Sequence, residues 1–160
     1  MKTCVFAGTF DPPTKGHIEV INKALEIFDQ VIVGILINPT KTPLFTETER
    51  KKLLVKALED KERVEVVTHG GMLVDLLKAY DTKFYIRGIR DEVDYKYERD
   101  MCYYNQELFE DMITVFVQAP KDLAFVSSSN LRELIKNNQD FSEFVPENIY
   151  EDIKKLIAKG

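Results

Sequence analysis

A glycine and a histidine at the first predicted strand-to-helix junction are the residues best placed to do chemistry. The β-like run Thr3–Phe6 comes before them, and Thr14-Lys15-Gly16-His17 opens a segment whose apolar residues recur at helical spacing. Backbone N–H groups at a helix start have no partner within the helix, so they attract phosphate. Gly16 lets the backbone approach a ligand closely, and His17 can supply a hydrogen-bond donor or a proton near neutral pH. The junction therefore predicts a phosphate site.

Basic side chains after two later strands would add positive charge to that site. Lys41 lies in the loop Asn38–Phe45, which two prolines stiffen, and a lysine there can act as a compact charge near phosphate. Arg87 and Arg90 flank Gly88 in a predicted turn just past the fourth strand, and arginine is favoured for bidentate phosphate recognition. The alternatives are a solvated loop lysine and surface arginines that pair with neighbouring carboxylates.

Hydroxyl groups follow the fifth predicted strand. Ser127–Ser129 would present side-chain hydroxyls and free backbone N–H groups to phosphate, although an ordinary serine-rich helix start is the alternative. Asn130 and Glu133 have the spacing of a capping box, which predicts a helix that begins there. On the preceding helix, Glu98 could accept hydrogen bonds from a ribose or a base, or be a solvated helix carboxylate.

The elements that must position these residues alternate along the chain. Val31–Ile37 is a continuous apolar run, typical of a strand buried on both faces, and Thr46–Glu49 forms a capping box that opens the next helix. Further strands are predicted at Val64–Val67, Phe84–Ile86 and Ile113–Val117, and a long helix at about Asp94 to Phe109. This order predicts one α/β domain over residues 1–160, a Rossmann-like, doubly wound, parallel five-stranded sheet. All four polar segments would then meet beyond the carboxyl ends of the strands, where such sheets bind ligands.

Composition narrows the class of partner. The net charge of −5 argues against a general nucleic-acid binder, and no apolar stretch approaches the ~20 residues of a membrane span. The amino terminus lacks a signal-peptide pattern, and Cys4 and Cys102 have neither zinc nor disulfide spacing. We therefore expect no nucleic-acid or membrane partner, no metal site built by the protein, and a reducing cytoplasmic location.

Taken together, the motifs resemble those of the bacterial phosphopantetheine adenylyltransferases, a branch of the nucleotidylyltransferase superfamily. The likeness runs almost end to end and rests on Gly8-Thr9-Phe10-Asp11-Pro12, Thr14-Lys15-Gly16-His17, Pro39-Thr40-Lys41-Thr42-Pro43, Arg87-Gly88-Ile89-Arg90, Tyr95-Lys96-Tyr97-Glu98, Ser127-Ser128-Ser129 and Phe144-Val145-Pro146. It implies that 4′-phosphopantetheine attacks the α-phosphate of ATP, with Mg²⁺, to give dephospho-coenzyme A and pyrophosphate. Since no covalent intermediate forms, the protein would supply mainly positioning and charge stabilisation.

The resemblance also implies roles for individual residues. His17, Lys41 and Arg90 would be catalytic, with His17 stabilising the transition state at the α-phosphate. The implied ATP-binding set is Thr9, Phe10, His17, Gly88, Arg90, Glu98, Ser127, Ser128 and Ser129. The implied phosphopantetheine-binding set is Thr9, Lys41, Met72, Leu73, Arg87, Met101 and Asn105. A homohexamer is implied in the same way, and coenzyme A is a candidate feedback ligand.

Two positions depart from the family pattern, and two other functions stay open. Ala7 stands where proline is common, and Leu123 stands where an aromatic side chain is common near the adenine. One alternative is a nucleotidylyltransferase with another nucleotide or acceptor, and the other is a catalytically silent nucleotide sensor. The presence of both His17 and Lys41 argues against the sensor, because binding alone does not need a transition-state donor.

Overall fold

A five-stranded, all-parallel sheet organises the structure, a computed structural model that describes residues 1–160. The strands are β1 (Thr3–Gly8), β2 (Gln30–Leu36), β3 (Val64–His69), β4 (Phe84–Ile89) and β5 (Ile113–Gln118). Their spatial order is β3-β2-β1-β4-β5, so the winding direction reverses between β1 and β4. Open α/β sheets bind ligands at such a reversal, just outside the carboxyl ends of the strands. The predicted doubly wound α/β fold is confirmed.

Six helices connect and cover the strands. They are α1 (Lys15–Ile27), α2 (Glu47–Ala57), α3 (Leu73–Ala79), α4 (Glu92–Leu108), α5 (Ser128–Lys136) and α6 (Glu147–Lys159), with short 3₁₀ turns at Lys121–Leu123 and Ser142–Phe144. None of the helices is long and apolar enough to cross a membrane.

The two faces of β1 belong to two different hydrophobic clusters. Cys4 and Phe6 pack with Ile21 of α1 on one face, whereas Val5 and Ala7 pack with α3 residues, including Leu77, on the other. Side chains alternate between the faces of a strand, so a central strand between two helical layers must be apolar at every position. A third cluster joins α2, α5 and α6 beside the sheet. The sheet is therefore covered on both faces, and its carboxyl edge is left for the loops.

The helix starts show which sequence predictions hold. The predicted capping box of α2 is confirmed, since the Thr46 hydroxyl accepts the Glu49 N–H at 3.2 Å and Glu49 Oε2 accepts the Thr46 N–H at 2.8 Å. The predicted start of α5 near Asn130 is wrong. Ser127 is the N-cap instead, and its hydroxyl accepts the Asn130 N–H at 3.0 Å. The serine hydroxyl therefore competes successfully with Asn130 for the capping role.

The predicted turn at Gly88 is also wrong. Arg87, Gly88 and Ile89 continue β4 and pair with β5. A Cβ atom at Gly88 would lie 2.6 Å from Cγ2 of Val20, so a glycine here lets α1 lie close against the sheet. Arg87 consequently projects from a rigid strand and not from a loop.

Candidate active site

A pocket of about 320 Å³ lies at the reversal between β1 and β4. The first βα loop, the end of β4, α4, the 3₁₀ turn after β5 and the start of α5 form its walls. Every residue of the predicted ATP-binding set lines it: Thr9, Phe10, His17, Gly88, Arg90, Glu98, Ser127, Ser128 and Ser129. Arg87 and Leu123 line it as well. Topology thus brings together residues that are more than 100 positions apart in the chain.

The imidazole of His17 is held by the first turn of its own helix. The Thr14 hydroxyl accepts the His17 N–H at 3.3 Å, and His17 Nδ1 accepts the Thr14 N–H at 3.0 Å. The Phe10 ring packs edge-on against the imidazole, with 4.8 Å between the ring centroids. Because Nδ1 is the acceptor, the neutral ring carries its proton on Nε2. The Nε2–H is therefore the donor that His17 can offer to a ligand.

The surroundings of His17 favour the neutral ring. Burial, together with the charges of Arg87 and Arg90, lowers the pKa of His17 from 6.5 to about 3. The lowered pKa does not favour the expectation that His17 supplies a proton near neutral pH. Its other half, a hydrogen-bond donor at the helix start, agrees with the geometry.

Glu98 is fully engaged with Arg87. Its two carboxylate oxygens accept from Arg87 Nη2 at 2.7 Å and from Nε at 3.0 Å, and Glu98 is only 8% exposed. Arg87 Nη1 also donates to the carbonyl of Ala7 in β1. The contacts favour neither earlier interpretation of Glu98, a ribose or base acceptor or a solvated carboxylate. Glu98 orients the partly buried Arg87 guanidinium in the pocket wall.

Arg90 pairs with the first turn of α4. Its Nε and Nη2 donate to Asp94 at 2.9 and 3.1 Å, and its backbone N–H donates to Asp94 Oδ2 at 2.9 Å. Burial alone would raise the pKa of Asp94, but these hydrogen bonds from Arg90 lower it overall. The alternative of arginine–carboxylate pairing is thus correct for Arg90, and Arg90 nevertheless lines the pocket.

The serine segment joins the start of α5 to the first βα loop. Ser128 Oγ donates to the carbonyl of Pro12 at 2.8 Å, and Arg132 Nη1 donates to the carbonyl of Asp11 at 2.9 Å. Arg132 Nη2 donates to Ser129 Oγ at 3.2 Å, and Arg132 also lines the pocket. The amino ends of α1 and α5 therefore both lie at the pocket, where their N–H groups favour an anion.

The remaining residues of the predicted phosphopantetheine set lie outside this pocket. Lys41 is exposed in the loop between β2 and α2, and Met72 and Leu73 lie at the start of α3. Met101 and Asn105 lie on α4, where Met101 is exposed and Asn105 is buried. The structure does not gather them into one cavity with the nucleotide set. Their assignment to the acceptor stays a prediction.

The pocket suits a metal ion that is held by nucleotide phosphates. No group of three or more His, Cys, Asp and Glu side chains comes together in the structure to hold a metal. The pocket carboxylates of Asp94 and Glu98 are bonded to arginines. Mg²⁺ commonly keeps several waters and binds through substrate phosphates with few protein ligands, so the residues present fit an ion of that kind.

Several residues that shape the pocket escaped the sequence analysis. The Thr14–His17 bond pattern is a capping box in which histidine takes the usual place of Glu or Gln, so the standard pattern does not find it. Arg50, which donates to the Thr9 carbonyl of the first βα loop, is indistinguishable in sequence from a solvated helix residue. Its contacts appear only in the folded chain.

Comparison with known proteins agrees with this architecture. The family model described as cytidylyltransferase-like matches residues 5–134. The phosphopantetheine adenylyltransferase of Thermotoga neapolitana is 40% identical over 156 residues, 98% of this chain and 97% of the relative. The proteins of that name from Streptococcus pneumoniae and Campylobacter fetus are 40% and 39% identical, over 96% of this chain and 95% and 96% of their own lengths. Because these matches run nearly from end to end, as the resemblance of the motifs predicted, the chain belongs to the phosphopantetheine adenylyltransferases of the cytidylyltransferase-like family.

Proposed function

We propose that the protein transfers the adenylyl group of ATP to 4′-phosphopantetheine, which gives dephospho-coenzyme A and pyrophosphate. The observation that carries the proposal is the hydrogen bond from the Thr14 N–H to His17 Nδ1, which leaves Nε2–H of the neutral ring as the available donor at the reversal point of the sheet. The start of α5 and the Arg90 guanidinium lie around the same pocket. Family membership adds the identity of the two substrates.

The chemistry needs no general base. An oxygen of the acceptor phosphate is already ionised, so it can bond directly to the α-phosphorus of ATP. The bond from that phosphorus to the α,β-bridging oxygen breaks, and pyrophosphate leaves. His17 would donate its Nε2–H to a non-bridging α-phosphate oxygen, where negative charge accumulates in the transition state. A neutral donor suits this role, because the ring neither loses nor gains a proton during transfer.

The charge on the leaving pyrophosphate would be stabilised at the start of α5. Backbone N–H groups and hydroxyls of Ser127–Ser129, with Arg90, are the donors available there. Mg²⁺, when bound through the nucleotide phosphates, would neutralise part of their charge. The protein's own contribution is to align the phosphates between His17 and α5.

The acceptor would approach from the side of β2, the neighbour of β1 in the sheet. We propose that Lys41, Thr9 and Arg87 orient its phosphate. The implied pantetheine-binding residues are Met72, Leu73, Met101 and Asn105. Coenzyme A shares the pantetheine arm, and it is proposed as a feedback ligand that binds on this same side of the pocket.

We also propose assembly into a homohexamer in the cytoplasm. The surface of α4 is evidence for assembly. The buried residues of this helix are the polar Glu98 and Asn105, whereas most of its apolar side chains are exposed. These exposed side chains are Val93, Tyr95, Tyr97, Met101, Tyr103, Tyr104 and Leu108. Large exposed apolar surfaces commonly mark interfaces. The free thiols Cys4 and Cys102 agree with a reducing compartment. Sedimentation velocity would test the assembly, and a monomer at micromolar concentration would contradict it.

A pyrophosphate-release assay with ATP, CTP and GTP against several phosphorylated acceptors tests the reaction. We expect ATP with 4′-phosphopantetheine to be preferred by at least about tenfold in kcat/KM, a gap of roughly 1.4 kcal/mol. Leu123 lines the pocket but cannot stack on adenine as an aromatic would. Adenine selection would then rest on hydrogen bonds to the edge of the base. Comparable values for ATP and CTP would favour another nucleotidylyltransferase, and binding without turnover would favour a sensor.

A further inference from the structure

Asp11 joins the first βα loop to the lysine loop, residues 38–45. Its side chain is buried, with only 4% of the residue exposed. Oδ2 accepts the N–H of Leu44 at 2.8 Å, and Oδ1 accepts the N–H of Phe45 at 2.9 Å. Both carboxylate oxygens are thus bonded to the end of the loop that carries Lys41. A carboxylate is well suited to this, because it can accept at both oxygens while an amide cannot.

Arg50 completes the connection from the other side. It belongs to α2, is also only 4% exposed, and donates from Nε to the Phe45 carbonyl at 3.1 Å. Its Nη1 donates to the carbonyl of Thr9 at 2.9 Å. The Phe45 residue is therefore held at its N–H by Asp11 and at its carbonyl by Arg50. A buried guanidinium bonded only to carbonyl oxygens is costly, which points to a positioning role more than to a stabilising one.

The same contacts hold the residues on both sides of Phe10 in the chain. This residue has a φ of 51°, in the left-handed region that non-glycine residues seldom adopt. Its neighbours Thr9 and Asp11 are held by Arg50 and by the lysine loop, which over-determines the conformation. The Phe10 ring in turn packs against His17. One buried network thus reaches the imidazole on one side and the Lys41 loop on the other.

We propose that Asp11 and Arg50 are positioning residues that fix the lysine loop against the first βα loop, and so set where Lys41 lies relative to His17. Neither side chain lines the pocket, so neither touches the nucleotide there. The inference rests on the proposed function for the role of Lys41, but the hydrogen bonds themselves do not depend on it.

Amide hydrogen exchange tests the physical contact without any substrate. In the wild-type protein, we expect the Leu44 and Phe45 amides, which are bonded to Asp11, to exchange more slowly than that of Thr42 in the same loop. Asp11→Asn replaces one acceptor by an NH₂ group, so we expect it to accelerate exchange at both positions. Thr82→Val is the matched control, because it removes two part-buried hydrogen bonds, to the Thr3 carbonyl and from the Phe84 N–H, at the amino ends of the strands. It should leave the Leu44 and Phe45 amides protected.

Kinetics test the positioning role. Asp11→Asn and Arg50→Lys should each lower kcat/KM for phosphopantetheine by about tenfold or more. The lysine ammonium cannot reproduce the planar guanidinium that donates to the Phe45 and Thr9 carbonyls together. Calorimetric ATP affinity should stay close to wild type. In a Lys41→Ala background, Asp11→Asn should cost much less than in the wild type, because the loop no longer carries the group that it positions. Thr82→Val should leave kcat/KM unchanged in both backgrounds.

Three results would overturn the inference. They are a wild-type exchange rate at Leu44 that is as fast as at Thr42, wild-type kinetics in both Asp11→Asn and Arg50→Lys, and a full loss from Asp11→Asn in the Lys41→Ala background. If the wild-type protein shows no turnover with phosphopantetheine, the proposed function fails instead. The exchange measurements then still decide whether Asp11 holds the lysine loop.

Discussion

The Nδ1 atom of His17 accepts the backbone N–H of Thr14 at 3.0 Å, and the Thr14 hydroxyl accepts the His17 N–H at 3.3 Å. Two residues of one helical turn thereby fix both the tautomer of the imidazole and its direction. The same hydrogen bonds cap α1 and place the proposed transition-state donor. We therefore propose a kinetic and a thermodynamic role for His17, and the two can be measured separately.

The kinetic role predicts that His17→Ala lowers kcat far more than it weakens ATP binding. A donor that acts mainly in the transition state is worth on the order of 3 kcal/mol, or about 100-fold or more in rate. Steady-state kinetics together with calorimetric ATP titration measure the two effects. Lys23→Ala, on an exposed part of the same helix, should behave as wild type. Near-normal turnover in His17→Ala would remove His17 from the mechanism.

The thermodynamic role predicts that His17 makes the fold sensitive to acid. Its pKa is about 3 in the folded protein against 6.5 for an unperturbed histidine, so between these values the unfolded state binds more protons. The contribution of the neutral His17 to the free energy of unfolding is therefore complete above about pH 6.5 and is lost as the pH falls toward 3. His17→Gln should lose less stability between pH 7 and pH 4.5 than the wild type.

Urea denaturation at the two pH values measures this difference. Equal pH dependence in wild type and His17→Gln would show that the imidazole is not held neutral.

Lys41 is predicted to act on the acceptor phosphate more than on ATP. It lies in the loop after β2, outside the pocket that the nucleotide set lines. Lys41→Ala should raise the KM for phosphopantetheine, lower kcat, or both, by about 1.5–3 kcal/mol in total, the usual worth of a hydrogen bond to a charged group. ATP affinity should change little. Lys61→Ala, in the turn before β3, is a matched control for loss of a lysine, and a Lys41→Ala defect confined to ATP affinity would assign the residue to the other substrate.

Gly88 is predicted to be a packing requirement. A Cβ atom there would lie 2.6 Å from Cγ2 of Val20, and this stiff, β-branched side chain on α1 cannot easily move away. Gly88→Ala should cost about 1–3 kcal/mol of stability, as overpacking of a core commonly does. Val20→Ala should relieve the clash, so the double variant should be more stable than the sum of the single effects predicts. Additive losses in urea denaturation would contradict the steric explanation.

Much of the fold could be predicted from sequence, because its signals are local. The continuous apolar run of β2 and the capping box Thr46–Glu49 were both predicted, and each depends on residues within a few positions of one another. The alternation of strands and helices then predicted a parallel sheet, and a parallel sheet gathers the loops after its strands at one edge. The convergence of Thr9, His17 and Ser127 on one pocket follows from that order.

Local signals failed where a strand ended or where two possible caps competed. The β4 strand continues through Arg87 and Gly88, since β5 supplies hydrogen-bond partners there that no local pattern announces. Ser127 displaced Asn130 as the cap of α5, because both residue types can cap a helix and the surrounding fold decides between them.

The sequence by itself determined the order of the elements and the residue types at the carboxyl edge of the sheet. Tertiary structure alone decided which side chains hold one another there. Asp11 bonds to Leu44 and Phe45, and its carbonyl accepts from Arg132, which is 121 residues away. Glu98 is bonded to Arg87, and Lys41 lies outside the pocket. Periodicity and capping depend on neighbours along the chain, whereas a hydrogen bond between distant loops exists only once the sheet has brought its strands into register.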